Sequence, residues 1–82
     1  MKSFVEFVVK GLVDNPDQVS VEEVTEDDGS SIIELSVAPS DMGRIIGKSG
    51  RVINAVRSLL QVAATKQGQR VSLELIETGE SR

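Results

Sequence analysis

The sequence predicts an α+β domain in which three helices cover one face of a three-stranded mixed sheet. Apolar residues recur at helical spacing near the amino terminus and again after residue 50, which predicts helices. Three other runs alternate between apolar and polar residues, which predicts strands. The order of elements is therefore α-β-β-α-α-β, and a chain of 82 residues suits one domain with a modest core.

A first helix is predicted over residues 3–14, where apolar residues follow the helical period. Glu6 and Lys10 lie on its other side as an i,i+4 pair. Because the residue before a proline avoids the α region, we expect Asn15-Pro16 to end this helix.

Two strands and a tight turn are predicted next. The first strand alternates over residues 19–22 and then loses its alternation at Glu23-Val24, which predicts a bulge. The second strand alternates over residues 33–38. Between them, Asp27-Asp28-Gly29-Ser30 has the composition of a hairpin turn, so we expect antiparallel pairing.

Two more helices and a third strand complete the predicted fold. A short helix over residues 41–46 is expected to be N-capped by Ser40. A long helix follows over residues 51–67, and Gly68 supplies its C′ residue. Its apolar stripe consists of Val52, Ile53, Val56, Leu59, Leu60, Ala63 and Ala64. Since two helices separate the second strand from the last, residues 71–76, those strands are free to pair in parallel.

The composition argues against catalysis. The chain has no histidine, cysteine, tyrosine or tryptophan, which removes the usual general base and the commonest metal ligands. No residue pair resembles an acid–base or nucleophile constellation, so we expect a non-enzymatic protein with no metal, cofactor or small-molecule substrate. No signal peptide and no run of roughly 20 apolar residues is recognisable, which predicts a cytoplasmic protein without a membrane segment.

Charge is segregated along the chain, although the formal net charge is −4. Residues 1–40 carry a balance of −7, residues 41–70 a balance of +5, and residues 71–82 a balance of −2. A segregated domain presents a positive face whatever its total charge. We interpret Lys66 as a solvent-exposed residue of the last helix and Arg70 as one that follows the end of that helix. Arg44, Lys48 and Arg51, in contrast, gather around two glycines.

Those glycines lie in Ile45-Ile46-Gly47-Lys48-Ser49-Gly50-Arg51-Val52-Ile53, which is the strongest indication of function. One interpretation is conformational, since Gly47 would end the short helix and Gly50 would let the next one begin tightly. The other is binding, because a sugar-phosphate backbone could approach the bare main chain at a helix N-terminus. Both are compatible, but only the second explains the basic residues.

The same stretch does not match a nucleotide-hydrolysis loop. A Walker A motif has four residues between its glycines and follows a strand directly. Here Gly43 and Gly47 enclose three residues and follow a predicted helical turn. We therefore exclude nucleotide hydrolysis.

The motif resembles the I-I-G-x-x-G-x-x-I core of KH RNA-binding domains. A helix and a strand precede this core and almost nothing follows the last strand, which resembles the bacterial type II KH arrangement over roughly residues 2–77. The resemblance implies a type II KH-like fold for a domain of residues 1–77 and a flexible tail of residues 78–82. It also implies a homodimer, or a heterodimer with a larger KH-domain protein.

The same resemblance implies a single-stranded RNA-binding protein, in RNA chaperone or post-transcriptional regulatory work, whose loop clamps the backbone of about four nucleotides. Bases would lie in an apolar groove between the two central helices and the neighbouring strand. The residues implied for phosphate are Gly47, Lys48, Ser49 and Gly50. Those implied for the groove are Gly43, Arg44, Ile45, Arg51, Val52 and Asn54, whereas Ile46, Ile53 and Val56 are expected in the core.

Two alternatives stay open from the sequence. The apolar density of the first helix, with Phe4, Phe7 and Val8, favours an interaction protein that mainly pairs with a partner while RNA contact is secondary. Single-stranded DNA is the other alternative, because discrimination rests on 2′-hydroxyl contacts. RNA is expected to avoid the outer face of the sheet, which is acidic and lacks aromatic residues. That face comprises Ser20, Glu22, Glu34, Ser36, Ser72 and Glu74.

Overall fold

The computed structural model describes residues 1–76 of the chain. Its helices and strands follow the predicted order α-β-β-α-α-β, with short 3-10 turns between some of them. The helices are α1 (Lys2–Lys10), α2 (Met42–Ile46) and α3 (Arg51–Lys66), and the strands are β1 (Ser20–Thr25), β2 (Ser31–Ser36) and β3 (Val71–Leu75). The last residue of the predicted domain, Glu77, and the predicted tail, residues 78–82, lie outside the described residues.

The three strands form a mixed sheet in the order β1-β2-β3. β1 pairs with β2 antiparallel through the hairpin, and β2 pairs with β3 in parallel. The parallel pair is possible because α2 and α3 form a crossover between its strands. The predicted mixed sheet is confirmed.

All three helices pack on one face of this sheet and share a single core with it. α1 contributes Val5 and Val9, and the centre of α3 contributes Leu60, each with no exposed surface. The buried core comprises Val5, Val9, Val21, Ile33, Leu35, Val37, Ile45, Ile53, Val56, Leu60, Ala64, Val71 and Leu73. None of the helices within residues 1–76 is long and apolar enough to span a lipid bilayer.

The opposite face of the sheet is acidic, as predicted. The strand register places Glu22 opposite Glu34 and Glu34 opposite Glu74, so three glutamates form a row across the sheet. Val24 and Ile32 pair on the same face, and the sequence-based set did not include them. A row of carboxylates gives this face a negative potential, which is unfavourable for anions.

The first helix is shorter than predicted, because α1 ends at Lys10 rather than at residue 14. The N–H of Gly11 still donates to the carbonyl oxygens of Phe7 and Val8. Beyond it, the N–H groups of Asp14 and Asn15 donate to a buried carboxylate instead of to helical carbonyls. The helical pattern is already lost at Leu12, whose N–H donates to the Val9 carbonyl oxygen three residues back. The helix thus closes at Gly11, before the proline, and the contact with Asp41 keeps residues 14 and 15 from continuing it.

The bulge predicted at Glu23-Val24 is absent from β1. These two residues pair in unbroken register with Ile33 and Ile32. Glu23 lies on the same side of the strand as buried Val21 but is exposed. The loss of alternation thus marks the place where the core stops covering β1, and the strand itself continues.

α3 buries only part of its predicted stripe. Leu59 is 55% exposed and Val52 is half-buried, whereas the buried residues of the helix are Ile53, Val56, Leu60 and Ala64. Gly68 has a φ of +71°, which confirms it as the C′ residue. The apolar surface of α3 is therefore wider than the surface that the sheet covers.

Candidate nucleic-acid interface

Residues 47–50, here called the glycine loop, connect α2 to α3 through left-handed backbone conformations. Gly47 has a φ of +75°, Ser49 of +56° and Gly50 of +76°. A non-glycine residue at positive φ, such as Ser49, is uncommon and is tolerated only where the surroundings determine it. The loop therefore has a specific shape that places its backbone at the surface between two helices.

Both packing and backbone conformation favour glycine at position 47. A Cβ atom at this position would lie 2.5 Å from Val52 Cγ2 and 2.9 Å from the Val52 backbone nitrogen. A Cβ at Gly50 would meet only Asn54 Nδ2, at an ordinary 3.5 Å. Only glycine fits at position 47, whereas position 50 requires glycine for its φ alone.

Exposed positive charge surrounds the glycine loop. Lys48 and Ser49 are exposed within it, Arg44 precedes it on α2, and Arg51 follows it as the first residue of α3. No side chain caps the N-terminus of α3, although the Arg51 N–H already donates to the Lys48 carbonyl oxygen. The positive end of the helix dipole therefore faces the loop and is available to an anion. The loop, the charges and the helix end together form a site suited to a phosphate chain.

Gly43 has no intramolecular reason to be glycine. It lies in α2, it is exposed, and a Cβ atom added to it would meet nothing within 4 Å. Glycine in a helix is less stable than alanine by about 0.5–1 kcal/mol. The missing side chain leaves a bare backbone surface one helical turn before Gly47.

Ile45 does not lie where the resemblance implied. It has no exposed surface and packs in the core, so it supports α2 from inside and cannot line a surface groove. Ile46, which we expected in the core, is half-buried instead. Ile46 still packs against the edge of the core. The deeply buried member of the pair is therefore Ile45, because α2 turns Gly43 and Arg44 outward and Ile45 inward.

The remaining groove residues separate onto two sides of α3. Asn54 lies beside β3, where Arg57 Nη1 donates to Asn54 Oδ1 at 3.1 Å and Arg57 Nε to the Leu73 carbonyl oxygen at 3.3 Å. Gln61 donates to the Val71 carbonyl oxygen at 2.6 Å. The side of α3 that borders the outer edge of β3 is therefore polar, next to the apolar side that packs on the sheet. Arg57 and Gln61 are not among the residues selected from the sequence.

An apolar groove exists, but it lies between α1 and α3 and not between the central helices and the strand. It has a volume of about 520 Å³ and contains Val52 together with Arg51. Its lining is Val8, Leu12, Arg51, Val52, Ala55, Val56 and Leu59. We call it the α1–α3 groove.

A buried carboxylate that the sequence analysis also missed anchors the start of α2. Asp41 is 1% exposed and accepts hydrogen bonds from the Asp14 N–H at 3.1 Å, the Asn15 N–H at 3.0 Å and Asn15 Nδ2 at 3.1 Å. Burial opposes its ionisation, but these hydrogen bonds outweigh burial and hold the pKa of Asp41 below its ordinary value. The predicted Ser40 N-cap is wrong, because no side chain caps α2. No signal in the local pattern distinguishes Asp41 from a first-turn helix residue.

Within the described part of the chain, no group of three or more carboxylates is placed to hold a metal ion. The glycine loop instead combines exposed basic side chains with the positive end of the α3 dipole, and both favour anions.

Curated relatives resemble the chain over almost its whole length. The RNA-binding protein KhpA of Halalkalibacterium halodurans is 54% identical over 78 residues, covering 94% of this chain and 100% of the relative. The protein of the same name from Clostridium acetobutylicum is 50% identical over 76 residues, covering 93% and 100%. That of Chlamydia pneumoniae is 48% identical over 77 residues, covering 94% and 97%.

A solved structure agrees in fold. Aquifex aeolicus Era bound to GDP and aluminium fluoride is similar with a TM-score of 0.56 and 23% identity. The match covers 93% of this chain and 29% of that protein. At this identity it shows a similarity of fold and nothing more. Residues 2–75 match the family model described as the KH domain of KhpA and KhpB. The chain belongs to the KhpA/KhpB family of KH domains.

Proposed function

We propose that this chain is a non-enzymatic single-stranded RNA-binding protein that holds the RNA backbone with its glycine loop. The observation that carries the proposal is the bare, left-handed backbone of that loop beside the exposed side chains of Arg44, Lys48 and Arg51. The names of the curated relatives, which are RNA-binding proteins, support it.

In the proposed complex, phosphate groups lie against Gly47 and Gly50, where no side chain keeps them away. The positive end of the α3 dipole attracts the phosphates, and the exposed side chains of Lys48 and Arg51 add positive charge beside them. The bare surface at Gly43 admits the neighbouring nucleotide, and the polar side of α3 at Asn54 is available to a base edge. The sheet does not take part, because its outer face is acidic.

We propose low sequence selectivity, and hence RNA chaperone or post-transcriptional regulatory work in the cytoplasm. The chain has no tryptophan or tyrosine, which removes the strongest stacking partners for bases. Both phenylalanines lie in α1, away from the loop along the chain. Binding therefore rests on the backbone, which is the same for every sequence.

A double substitution tests the role of the loop. Lys48→Asp with Ser49→Asp places two carboxylates beside the phosphate and should abolish RNA binding in a gel shift. The fold should survive, because both side chains are exposed and aspartate tolerates the left-handed conformation of Ser49 better than most residues. Circular dichroism and a thermal melt check the fold.

The chain contains a matched control with the same two residue types. Lys2→Asp with Ser3→Asp makes the same change in net charge at two exposed positions in the first turn of α1, where acidic residues are favourable. This control should bind RNA nearly as well as the parent. Equal affinity of the two double variants would exclude the loop as the binding site.

The α1–α3 groove favours a second function, which is pairing with a second copy of this chain. Besides Leu59, α3 exposes Val62 by 69%, and α1 exposes Phe7 by 81%. Exposed apolar surface of this kind marks interaction sites, and two copies of one amphipathic helix can bury the same patch about a two-fold axis. A heterodimer with a larger KH-domain protein would use the same surface.

Sedimentation of the purified chain tests the pairing. The parent should sediment as a dimer, and Leu59→Lys should convert it to a monomer because a charge would lie in the shared apolar surface. Ser58→Lys, at an exposed position outside the groove lining, should leave the dimer intact. A monomeric parent protein would reject the homodimer and leave the heterodimer to be tested with the larger partner.

A further inference from the structure

One of the basic residues at the glycine loop already has an anionic partner. Arg44 Nη2 lies 3.2 Å from Asp14 Oδ2, although the two residues are 30 positions apart. Within residues 1–76, neither Lys48 nor Arg51 makes an ion pair. Arg44 is thus distinguished from the other two cations of the site.

Asp14 is held in place by the segment that leads into α2. Its backbone N–H donates to the buried carboxylate of Asp41, and so does the N–H of Asn15. Asp41 directly precedes Met42, the first residue of α2, which carries Arg44. The backbone of Asp14 is therefore held close to the start of α2, which keeps its carboxylate within reach of Arg44.

A carboxylate and a phosphate compete for the same donors of an arginine. The guanidinium group presents a planar fork of N–H groups that binds either anion. The side chains of Arg44 and Asp14 are 55% and 72% exposed, so the pair is open to solvent and reversible. A phosphate group that reaches Arg44 must displace Asp14 and then lie close to its negative charge.

We propose that Asp14 sets the affinity of the RNA site by occupying Arg44 in the free protein. This inference rests on the proposed RNA-binding function. Asp14 is an internal competitor that weakens binding, and its removal frees Arg44 for the phosphate chain. Its effect is electrostatic, so it is largest at low salt.

Asp14→Asn tests this competition and leaves the backbone N–H that binds Asp41 unchanged. Fluorescence anisotropy with a labelled RNA of about eight nucleotides, twice the length that one KH loop clamps, measures affinity. At about 0.1 M salt, affinity should rise about two- to fivefold, the range that an exposed ion pair supports. The plot of log K against log salt should steepen by up to about 0.7, the value of one single-strand phosphate contact.

Asp28→Asn is the matched control, because it removes the same charge from the chain's other exposed ion pair within the described residues. That pair joins Arg70 Nη2 to Asp28 Oδ2 at 3.4 Å, with side chains 75% and 62% exposed. The RNA affinity of Asp28→Asn should differ from that of the parent by less than twofold. Its plot of log K against log salt should have the slope of the parent. In an Arg44→Gln background, the gain from Asp14→Asn should fall to the level of this control.

The outcomes separate this inference from the proposed function. Equal gains from Asp14→Asn and Asp28→Asn, or a gain that persists in the Arg44→Gln background, would overturn the role of Asp14 while RNA binding stands. A parent chain that does not bind the oligonucleotide would overturn the proposed function and this inference with it. A larger gain and a steeper salt slope for Asp14→Asn alone would establish the competition.

Discussion

Replacing Gly43 by alanine should stabilise the protein and weaken its RNA binding at the same time. Gly43 lies in α2 with ordinary helical geometry, and a methyl group there would meet no atom within 4 Å. Nothing inside the molecule therefore opposes the substitution. The methyl group would instead project from the surface where the proposed RNA backbone approaches the helix.

The two effects have opposite signs and comparable sizes. Alanine in place of a helical glycine adds about 0.5–1 kcal/mol of stability, which corresponds to a rise of about 2–8 °C in Tm for a domain of this size. An extra methyl group forced into a close contact costs about 1–3 kcal/mol. RNA affinity should therefore fall about five- to 150-fold.

Gly11→Ala provides the control. Gly11 closes α1 with a φ of −78°, and a Cβ there would lie an ordinary 3.5 Å from the Val8 carbonyl oxygen. The Tm of Gly11→Ala should rise by a similar amount, and its affinity for RNA should equal that of the parent. A calorimetric melt and anisotropy titrations measure both quantities.

Either of two results for Gly43→Ala would contradict this prediction. If Gly43→Ala binds RNA as tightly as the parent, no ligand approaches α2 at this position. If the Tm of Gly43→Ala falls, the added methyl group collides with the protein itself, which contradicts the open surface around Gly43.

Three further predictions concern the loop, its anchor and the binding mode. Gly47→Ala should destabilise the fold by about 1–3 kcal/mol in denaturant unfolding, because its Cβ would collide with Val52 at a positive φ; unchanged stability would contradict the loop geometry. The pKa of Asp41 is lowered in the folded state, so its carboxylate contributes stability above its ordinary pKa of about 3.9 and loses that contribution as the pH falls through the lower folded value. Asp41→Asn should therefore lower the free energy of unfolding at neutral pH and reduce its dependence on acid pH. Parallel plots of the free energy of unfolding against pH for the two proteins would contradict this prediction. RNA affinity should rise with length well past four nucleotides. The salt slope of the parent should lie between about −1.4 and −2, because Lys48 and Arg51 each neutralise a phosphate at about −0.7 and Arg44 does so only in part while Asp14 competes for it. Tight binding to a tetranucleotide with no gain on lengthening would contradict this mode.

Some differences between prediction and structure have a common origin in long-range contacts. The chain is not helical up to residue 14, because the N–H groups of Asp14 and Asn15 bind Asp41, which lies 27 positions after Asp14. The loss of alternation at Glu23-Val24 reflects the end of the core and not a bulge. In each case a local pattern was interpreted as a local feature, although a distant segment caused it.

The sequence by itself determined the number, type and order of the helices and strands, because hydrophobic periodicity is a property of neighbouring residues. It also determined the glycine loop and its surrounding charge, since positive φ values favour glycine and the basic residues are adjacent in the chain. Only the tertiary structure decided that Ile45 faces the core, that Val52 and Asn54 lie on different sides of α3, and that the apolar groove borders α1. It alone brought Asp14 to Arg44 and buried Asp41 beneath them. Such contacts join segments far apart in the chain, and the packing of the core decides which of them meet.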